Sequence, residues 1–377
     1  MSVTAPSPAP VVEVPLVDLA AQHREVADLV QAGFDRVMAD TDFIGGREVA
    51  AFESELGRWW GRDHVVGVGN GTDALELMLR GAGIGPGDEI LVPANSFVAT
   101  ASAVARVGAK PMFVDVDPTY LLLDPAEVAS HLTARTRGVI AVHLFGQMAP
   151  MEDLAEVVAG TPVLLFEDAA QAHGARRHGQ PPGTGLAAAT SFYPGKNLGA
   201  YGDGGAVLTD RAELARRVRL LGSHGEATKY DHVELGFNSR LDTLQAVVLR
   251  AKLTRLDAWN RARRRAAEAY EELLADVDPI YLPATAPGNE HVWHLYPIRV
   301  ANRDELHRAL RAEGIGAGIH YPVPLPFTGA FAGLGHRRGD FPHAEAAADR
   351  LLSLPLHPHL DRSAQERVAE LCRRLVA

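Results

Sequence analysis

The chain has 377 residues, which is too many for one ordinary domain and suits a large domain with a smaller one. With 47% apolar and 22% charged residues it can bury a sizeable core, and its net charge of −10 argues against nucleic acid as the main partner. A single cysteine, apolar runs far shorter than a bilayer crossing, and an N-terminus without a signal-peptide pattern predict a cytoplasmic protein with neither a disulfide framework nor a membrane partner.

Strands and helices are predicted to alternate through the first two thirds of the chain. The proline-rich residues 1–14 are expected to form a flexible tail. Beyond it, strands are predicted at His64–Gly69, Glu89–Pro93, Met112–Val116, Val139–Leu144, Val163–Phe166, Ala189–Tyr193 and Ala206–Thr209. Helices are predicted at Asp73–Leu79, Ala99–Val107 and Met151–Val158. Short buried strands alternating with helices indicate an α/β fold with a mostly parallel sheet.

From Leu241 the pattern changes to one long helix that continues towards Tyr270. A strand at Val292–Val300 and a helix at Asn302–Arg311 follow, and both Asn302 with Glu305 and Ser363 with Glu366 have the spacing of a capping box. We place a domain boundary near residue 250, within the long helix. This gives a large α/β domain at 15–250 and a smaller α+β domain at 251–377.

Two segments carry residues suited to catalysis. In PVLLFEDAAQAHG (162–174), Asp168 ends an apolar strand, and open α/β sheets bind ligands beyond the carboxyl ends of their strands. In SFYPGKNLGAYGDGG (191–205), Lys196 is the only charged side chain between His178 and Gly202, so burial would lower its pKa and make it a usable nucleophile. Taken alone, Asp168 also suits a capping or salt-bridge acid, and Lys196 a surface lysine in a loop.

A third segment, NGTDAL (70–75), lies where a strand gives way to a helix. The free N–H groups of a helix N-terminus, with a hydroxyl such as that of Thr72, bind phosphate well, although a capped Asn-Gly turn explains the segment equally. Together, a lysine that forms a Schiff base, an acid for a pyridinium nitrogen and a phosphate cradle are what pyridoxal phosphate requires. No metal site is expected, because His357 and His359 flank Pro358 without further ligands.

Several ordered motifs resemble those of the DegT/DnrJ/EryC1/StrS family of sugar-nucleotide aminotransferases, from about residue 15 to the C-terminus. They are FIGG (43–46), NGTDAL (70–75), PANSFVAT (93–100), EDAAQAH (167–173), FYPGKNLGAYGDGG (192–205), GFNSRLD (236–242), HYPVP (320–324) and LSLP (352–355). The resemblance implies the type I fold of pyridoxal-phosphate transferases, with a seven-stranded, mostly parallel sheet. It also implies that Lys196 bears the cofactor, Asp168 partners the pyridine nitrogen, Gln171 reaches the ring hydroxyl, and Phe97 stacks on the ring.

The resemblance further implies that Gly71, Thr72 and Ser191 hold the cofactor phosphate. Asn238 matches an asparagine that reaches this phosphate from the neighbouring subunit, which would place the active site at a homodimer interface. Candidates for the sugar-nucleotide pocket are Tyr230, Arg240 and Tyr321. After HYPVP, Pro326 stands where many members have histidine, which suggests a different sugar.

The function that the resemblance implies is transfer of nitrogen from an amino acid, L-glutamate being favoured, to a nucleotide-linked keto-6-deoxyhexose. The cofactor would alternate between pyridoxal and pyridoxamine phosphate. Carbon C3 of a dTDP-sugar is favoured over C4, in amino-sugar biosynthesis for an antibiotic or a surface glycan. The alternatives are an aminotransferase for a cyclitol ketone, another pyridoxal-phosphate enzyme such as an isomerase, and a non-catalytic sensor. Lys196 argues against relatives that dehydrate, because those carry histidine in its place.

Overall fold

The computed structural model describes residues 13–376, so most of the tail expected at 1–14 lies outside the described residues. At its start, Val14 is buried and forms a parallel bridge with Ile315. No helix within residues 13–376 combines the length and the apolar character needed to cross a membrane.

The described residues form eleven α-helices. They are α1 (Leu19–Asp40), α2 (Gly46–Trp60), α3 (Gly71–Gly81), α4 (Ala99–Arg106), α5 (Pro125–His131), α6 (Met151–Val158), α7 (Ala212–Gly222), α8 (Thr243–Leu274), α9 (Arg303–Ala312), α10 (Pro342–Arg350) and α11 (Arg362–Val376). Helix α6 has the predicted bounds, and α8 is the predicted long helix.

Thirteen strands accompany these helices in the same part of the chain. They are β1 (His64–Val68), β2 (Glu89–Pro93), β3 (Lys110–Val114), β4 (Thr136–Val142), β5 (Leu164–Asp168), β6 (Arg176–Arg177), β7 (Ala187–Ser191), β8 (Gly205–Thr209), β9 (Glu226–Thr228), β10 (Asp231–His232), β11 (Asn289–Glu290), β12 (Tyr296–Arg299) and β13 (Leu351–Leu354). Each of the seven strands predicted before residue 210 is present, with bounds shifted by at most three residues.

Seven of these strands form the central sheet, in the order β1-β8-β7-β5-β4-β2-β3. The pairs within β7-β5-β4-β2-β3 are parallel, whereas β8 is antiparallel to both of its neighbours. The predicted α/β fold with a mostly parallel seven-stranded sheet is therefore confirmed. Strands β1 and β7 run in the same direction, since each opposes β8, and so the carboxyl ends of β1, β5 and β7 lie at one edge of the sheet.

The sheet is covered on both faces because apolar, buried residues fill most of its parallel strands. One core cluster includes Leu75 and Met78 of α3, and the other includes Phe52 of α2 and Leu249 of α8. A third cluster joins the second half of α8 to β12, β13, α9 and α11, in the region predicted to be the smaller domain. The boundary predicted near residue 250 falls inside α8, which runs through both regions without interruption.

Both predicted capping boxes are absent. Helix α9 follows Asn302, but the Asn302 side chain makes no capping hydrogen bond. At α11, Ser363 lies inside the helix, and Asp361 takes the capping role by accepting a hydrogen bond from the Ala364 N–H at 2.8 Å. A carboxylate that precedes the first turn can reach a free N–H, so Asp361 replaces the predicted Ser363.

Candidate active site

The two adjacent carboxylates at the end of β5 point to opposite faces of the sheet, as successive residues of a strand must. Glu167 is fully buried and accepts hydrogen bonds from the Gly183 and Gly185 N–H groups, both at 2.7 Å, while pairing with His143. Asp168 faces the opposite way and accepts a hydrogen bond from the Thr100 hydroxyl at 2.7 Å. The Glu167 carboxylate therefore has a structural role, and Asp168 is the carboxylate available to a ligand.

Lys196 lies in the connection between β7 and β8, close to Asp168. Its backbone N–H donates to the Tyr193 carbonyl at 2.8 Å, which closes a turn that directs the side chain inward. Burial lowers the pKa of Lys196 to about 8, although the negative charge of Asp168 acts in the opposite direction. A larger fraction of this amine is neutral near pH 7 than in an ordinary lysine, and the neutral amine is the nucleophilic form.

The N-terminus of α3 forms a close-packed cradle against the ends of β7 and β8. Asn70 caps the helix by accepting a hydrogen bond from the Asp73 N–H at 2.9 Å, which leaves the first N–H groups directed outward. A Cβ atom on Gly71 would lie 2.6 Å from the Ser191 Cβ, so only glycine allows this approach. The backbone of Gly71 and Thr72 is thereby held beside the Ser191 hydroxyl, an arrangement suited to an anionic group.

An aromatic and amide cluster forms another wall of the site. Gln171 accepts a hydrogen bond from the Phe145 N–H at 2.6 Å and donates one to the Tyr321 hydroxyl at 3.2 Å. The rings of Tyr321 and Phe97 have their centroids 5.8 Å apart. Phe97 remains 53% exposed, so its ring face is available to a ligand. Burial, together with the nearby negative charge of Asp168, raises the pKa of the Tyr321 hydroxyl above its ordinary value.

These walls enclose one cavity of about 660 Å³. Of the residues proposed from the sequence, it is lined by Gly71, Thr72, Phe97, Asp168, Gln171, Ser191, Lys196 and Tyr321. A half-buried amine of lowered pKa, a carboxylate held by a hydroxyl, an exposed aromatic face and a helix N-terminus beside a hydroxyl fit an aromatic aldehyde that carries a phosphate. The residues present therefore fit pyridoxal phosphate.

Three of the proposed residues lie outside this cavity in the single chain. Tyr230 is 80% exposed, next to the short hairpin of β9 and β10. Asn238 and Arg240 are also exposed, and Arg240 donates a hydrogen bond to the Asn238 side chain at 2.8 Å. Their position leaves them free to meet another molecule and separates them from Lys196 of the same chain.

Several residues of the site were not proposed from the sequence. Thr100 lies four residues after Ser96, and their hydroxyls are 2.8 Å apart, so the two hydroxyl residues within PANSFVAT were a usable signal. His294 and His320 also line the cavity, but they come from regions about 100 residues beyond Lys196. His320 adjoins Tyr321 within the HYPVP motif, which was a usable signal, whereas nothing in the local sequence around His294 indicated its position.

Comparison with known proteins agrees with this architecture. Residues 25–373 match the DegT/DnrJ/EryC1/StrS aminotransferase family. The chain is 45% identical to the dTDP-3-amino-3,4,6-trideoxy-alpha-D-glucose transaminase of Streptomyces venezuelae, over 96% of this chain and 95% of that one. It is 46% identical to the erythromycin biosynthesis sensory transduction protein EryC1 of Saccharopolyspora erythraea, over 94% and 98% of the two chains.

A solved structure extends the similarity to three dimensions. The crystal structure of S. venezuelae DesV in complex with a ketimine intermediate superposes with a TM-score of 0.94 and 45% identity, covering 96% of this chain and 98% of that one. The match therefore spans the sheet, the cavity and the C-terminal region together. The chain belongs to the DegT/DnrJ/EryC1/StrS aminotransferase family.

Proposed function

We propose that this protein transfers an amino group from an amino acid, with L-glutamate as the favoured donor, to carbon C3 of a dTDP-linked keto-6-deoxyhexose. The observation that carries the proposal is a half-buried Lys196 of lowered pKa in one cavity with Asp168 and the N-terminus of α3. The choice of sugar and carbon is supported by the S. venezuelae transaminase, whose name specifies a dTDP-sugar aminated at C3.

Each side chain of the cavity has a part in this proposal. The N–H groups of Gly71 and Thr72, with the Ser191 hydroxyl, would bind the phosphate of pyridoxal phosphate. Asp168, oriented by Thr100, would keep a proton on the pyridine nitrogen. When bound, the cofactor supplies an electron sink that stabilises negative charge on the reacting carbon.

Gln171 would donate or accept a hydrogen bond at the ring hydroxyl, and Phe97 would cover the ring face. The Nζ atom of Lys196, in its neutral form, would move a proton from the α-carbon of the amino donor to the cofactor in the first half-reaction, and from the cofactor to the sugar carbon in the second. Its lowered pKa suits this exchange, because proton transfer is most efficient when the pKa of the group lies near the working pH.

The exposed position of Asn238, Arg240 and Tyr230 supports a homodimer with a shared site. In this arrangement Asn238 of the partner subunit would reach the cofactor phosphate, and Arg240 and Tyr230 would contact the nucleotide sugar. Tyr321, which lines the cavity of its own chain, would contact the sugar from the other side.

The deciding experiment follows the absorbance of the purified protein, loaded with pyridoxal phosphate, before and after addition of L-glutamate, with Lys196→Ala as control. A cofactor band that glutamate converts only when Lys196 is present supports the transaminase. NMR of the product formed from dTDP-3-keto- and dTDP-4-keto-6-deoxyhexoses, and from a cyclitol ketone, then identifies the acceptor and the carbon.

A second candidate is a non-catalytic sensor, which the name of the S. erythraea relative favours. Absence of any cofactor band after pyridoxal phosphate is supplied would exclude the enzyme and favour the sensor. A cofactor band that does not respond to glutamate would show that the protein binds pyridoxal phosphate and that another amino donor should be tested.

A further inference from the structure

Next to Lys196, a chain of side-chain amides connects the lysine loop to helix α8 and to the segment before β12. The Asn197 side-chain NH₂ donates to the Val292 carbonyl at 3.1 Å and to the Asn260 side-chain oxygen at 3.0 Å. Asn260 in turn donates to the His173 carbonyl at 2.8 Å. Both asparagines are buried, so each of these hydrogen bonds forms where water cannot compete.

These hydrogen bonds determine which way the Asn197 side-chain amide faces. The Val292 carbonyl can only accept a hydrogen bond, so the Asn197 atom beside it must be the NH₂ group. The same holds for Asn260 at the His173 carbonyl, which leaves the Asn260 oxygen facing the Asn197 NH₂. The Asn197 oxygen therefore faces the remaining neighbour, the Nδ1 atom of His294, at 3.2 Å.

An amide oxygen opposite Nδ1 requires that Nδ1 carries the proton. The His294 imidazole is also neutral, because burial and the positive charges of Lys196 and Arg263, with the neighbouring His320 and His173, lower the pKa of His294 well below its ordinary value. A neutral imidazole protonated on Nδ1 has an unprotonated Nε2, which can accept a hydrogen bond but cannot donate one.

The Nε2 atom has no hydrogen-bond partner among residues 13–376, and His294 lines the same cavity as Lys196 and Tyr321. We propose that His294 is a substrate-recognition residue whose Nε2 accepts a hydrogen bond from an O–H or N–H group of the bound substrate. The inference rests on the proposed function. The two sources of this donor group are a ring hydroxyl of the keto sugar and the amino group of the amino acid.

Because its Nε2 atom can only accept a hydrogen bond, His294 would select between substrate groups. It can pair with a hydroxyl or an amine but not with a carbonyl oxygen, so it would favour one orientation of a sugar that presents both groups. A site that leaves a buried polar group unpaired rejects the wrong ligand strongly. Asn197 and Asn260 act only through His294, as positioning residues that fix its tautomer.

Two substitutions test the roles of the two ring nitrogens of His294 separately. His294→Asn places an amide NH₂ near the position of Nδ1, so it keeps the hydrogen bond to Asn197 and loses the acceptor. His294→Gln reaches the position of Nε2 with an amide oxygen, so it keeps an acceptor towards the cavity. We expect His294→Asn to lower kcat/KM roughly ten- to hundredfold, and His294→Gln to retain most of the activity.

The two half-reactions are measured separately in the holoenzyme, by the change of cofactor absorbance with L-glutamate alone and then with the keto sugar. A defect confined to the first half-reaction identifies the amino acid as the source of the donor group, and a defect confined to the second identifies a sugar hydroxyl. Any result in which His294→Gln is no better than His294→Asn overturns the proposal.

A readout independent of activity is the tautomer itself. Nitrogen-15 NMR of histidine-labelled protein, with His294→Gln to assign the signal, should show a neutral ring protonated on Nδ1. Protonation on Nε2 would overturn the proposal as well. If the wild-type cofactor band does not respond to any amino donor, the proposed function fails instead, and the tautomer measurement still tests the His294 geometry.

Discussion

The Thr100 hydroxyl donates its proton to Asp168 at 2.7 Å, across 68 residues of sequence, and itself lies 2.8 Å from the Ser96 hydroxyl. Because a hydroxyl has one proton, its donation to the carboxylate obliges Thr100 to accept from Ser96. Helix α4 and the segment just before it thus orient the carboxylate of β5 through two hydroxyls that are both buried.

Replacing Thr100 by valine, which has the same shape, should destabilise the protein by roughly 1–3 kcal/mol, because Asp168 loses a donor inside the fold. Cofactor affinity should fall as well, since the carboxylate is no longer oriented. Urea unfolding and titration with pyridoxal phosphate measure the two effects. Thr100→Ser, which keeps the hydroxyl, is the matched control and should resemble the wild type; an equal loss in both variants would refute the role of the hydrogen bond.

Gly71→Ala should weaken pyridoxal phosphate binding roughly ten- to hundredfold, because the new methyl group would overlap the Ser191 Cβ and push the N-terminus of α3 outward. Gly329→Ala is the control, since a Cβ there meets no atom within 4 Å. Ser191→Gly removes the side chain that the new methyl group would meet, together with one proposed phosphate ligand, so Gly71→Ala should cost less affinity in the Ser191→Gly background than in the wild type. An equal cost in both backgrounds would indicate that the loss has another cause.

The amine of Lys196 should titrate near pH 8 in the protein without cofactor. The folded state then binds fewer protons than the unfolded state between about pH 8 and the ordinary value of 10.5, so stability should rise with pH across this window. Lys196→Met should remove part of this rise, and urea unfolding at several pH values measures the difference.

The reactivity of individual lysines offers a direct check, because the chain has only four of them. Acetylation of Lys196 as a function of pH, followed by mass spectrometry, should reach half its maximal rate near pH 8. The exposed Lys110 and Lys229 are internal comparisons for the reagent. A midpoint for Lys196 near 10.5 would contradict the effect of burial.

Lys252 anchors the loop that carries Lys196. Its ammonium group donates to the Gly199 carbonyl at 2.7 Å and lies 4.7 Å from the centroid of the Tyr201 ring. Lys252→Met should cost roughly 1–3 kcal/mol and increase hydrogen exchange at residues 197–202. Arg255→Met, on the exposed side of α8, is the control. Unchanged exchange in the Lys252 variant would show that other contacts hold the loop.

Mixing two inactive variants tests the shared site. Lys196→Ala and Asn238→Ala subunits, allowed to exchange, should recover about a quarter of the wild-type activity, since half of the dimers are mixed and each has one intact site. Either variant alone should remain inactive. Failure to recover activity, with exchange verified by mass spectrometry, would mean that Asn238 acts within its own chain.

Sequence patterns predicted the local parts of this protein well and the long-range contacts poorly. Strand β2 and helix α6 have the predicted bounds, because their apolar patterns are strong and their ends are marked by turn residues. Asp168 and Lys196 share a cavity, as expected from strands whose carboxyl ends lie at one edge. The helices α1 and α2 had no prediction, and a capping box was assigned to Ser363 where Asp361 caps instead.

The remaining residues of the site could not be predicted in this way. His294 reaches Asn197 across 97 residues, and Thr100 reaches Asp168 across 68. Such pairs depend on how the whole chain packs, and neither periodicity nor spacing contains that information. The exposure of Asn238 and Arg240 is likewise a property of the folded surface.

The position of β8 has a consequence for how the protein is made. Strand β1 has one neighbour in the sheet, β8, whose residue Gly205 pairs with Val68 of β1 and with Ser191 of β7. During synthesis, β1 therefore cannot pair until more than a hundred further residues have been translated. Tyr321 is translated later still. Contacts at such separation close slowly. We infer that the nascent chain has no complete cavity until its C-terminal third has left the ribosome, so that truncated chains would be unable to retain the cofactor.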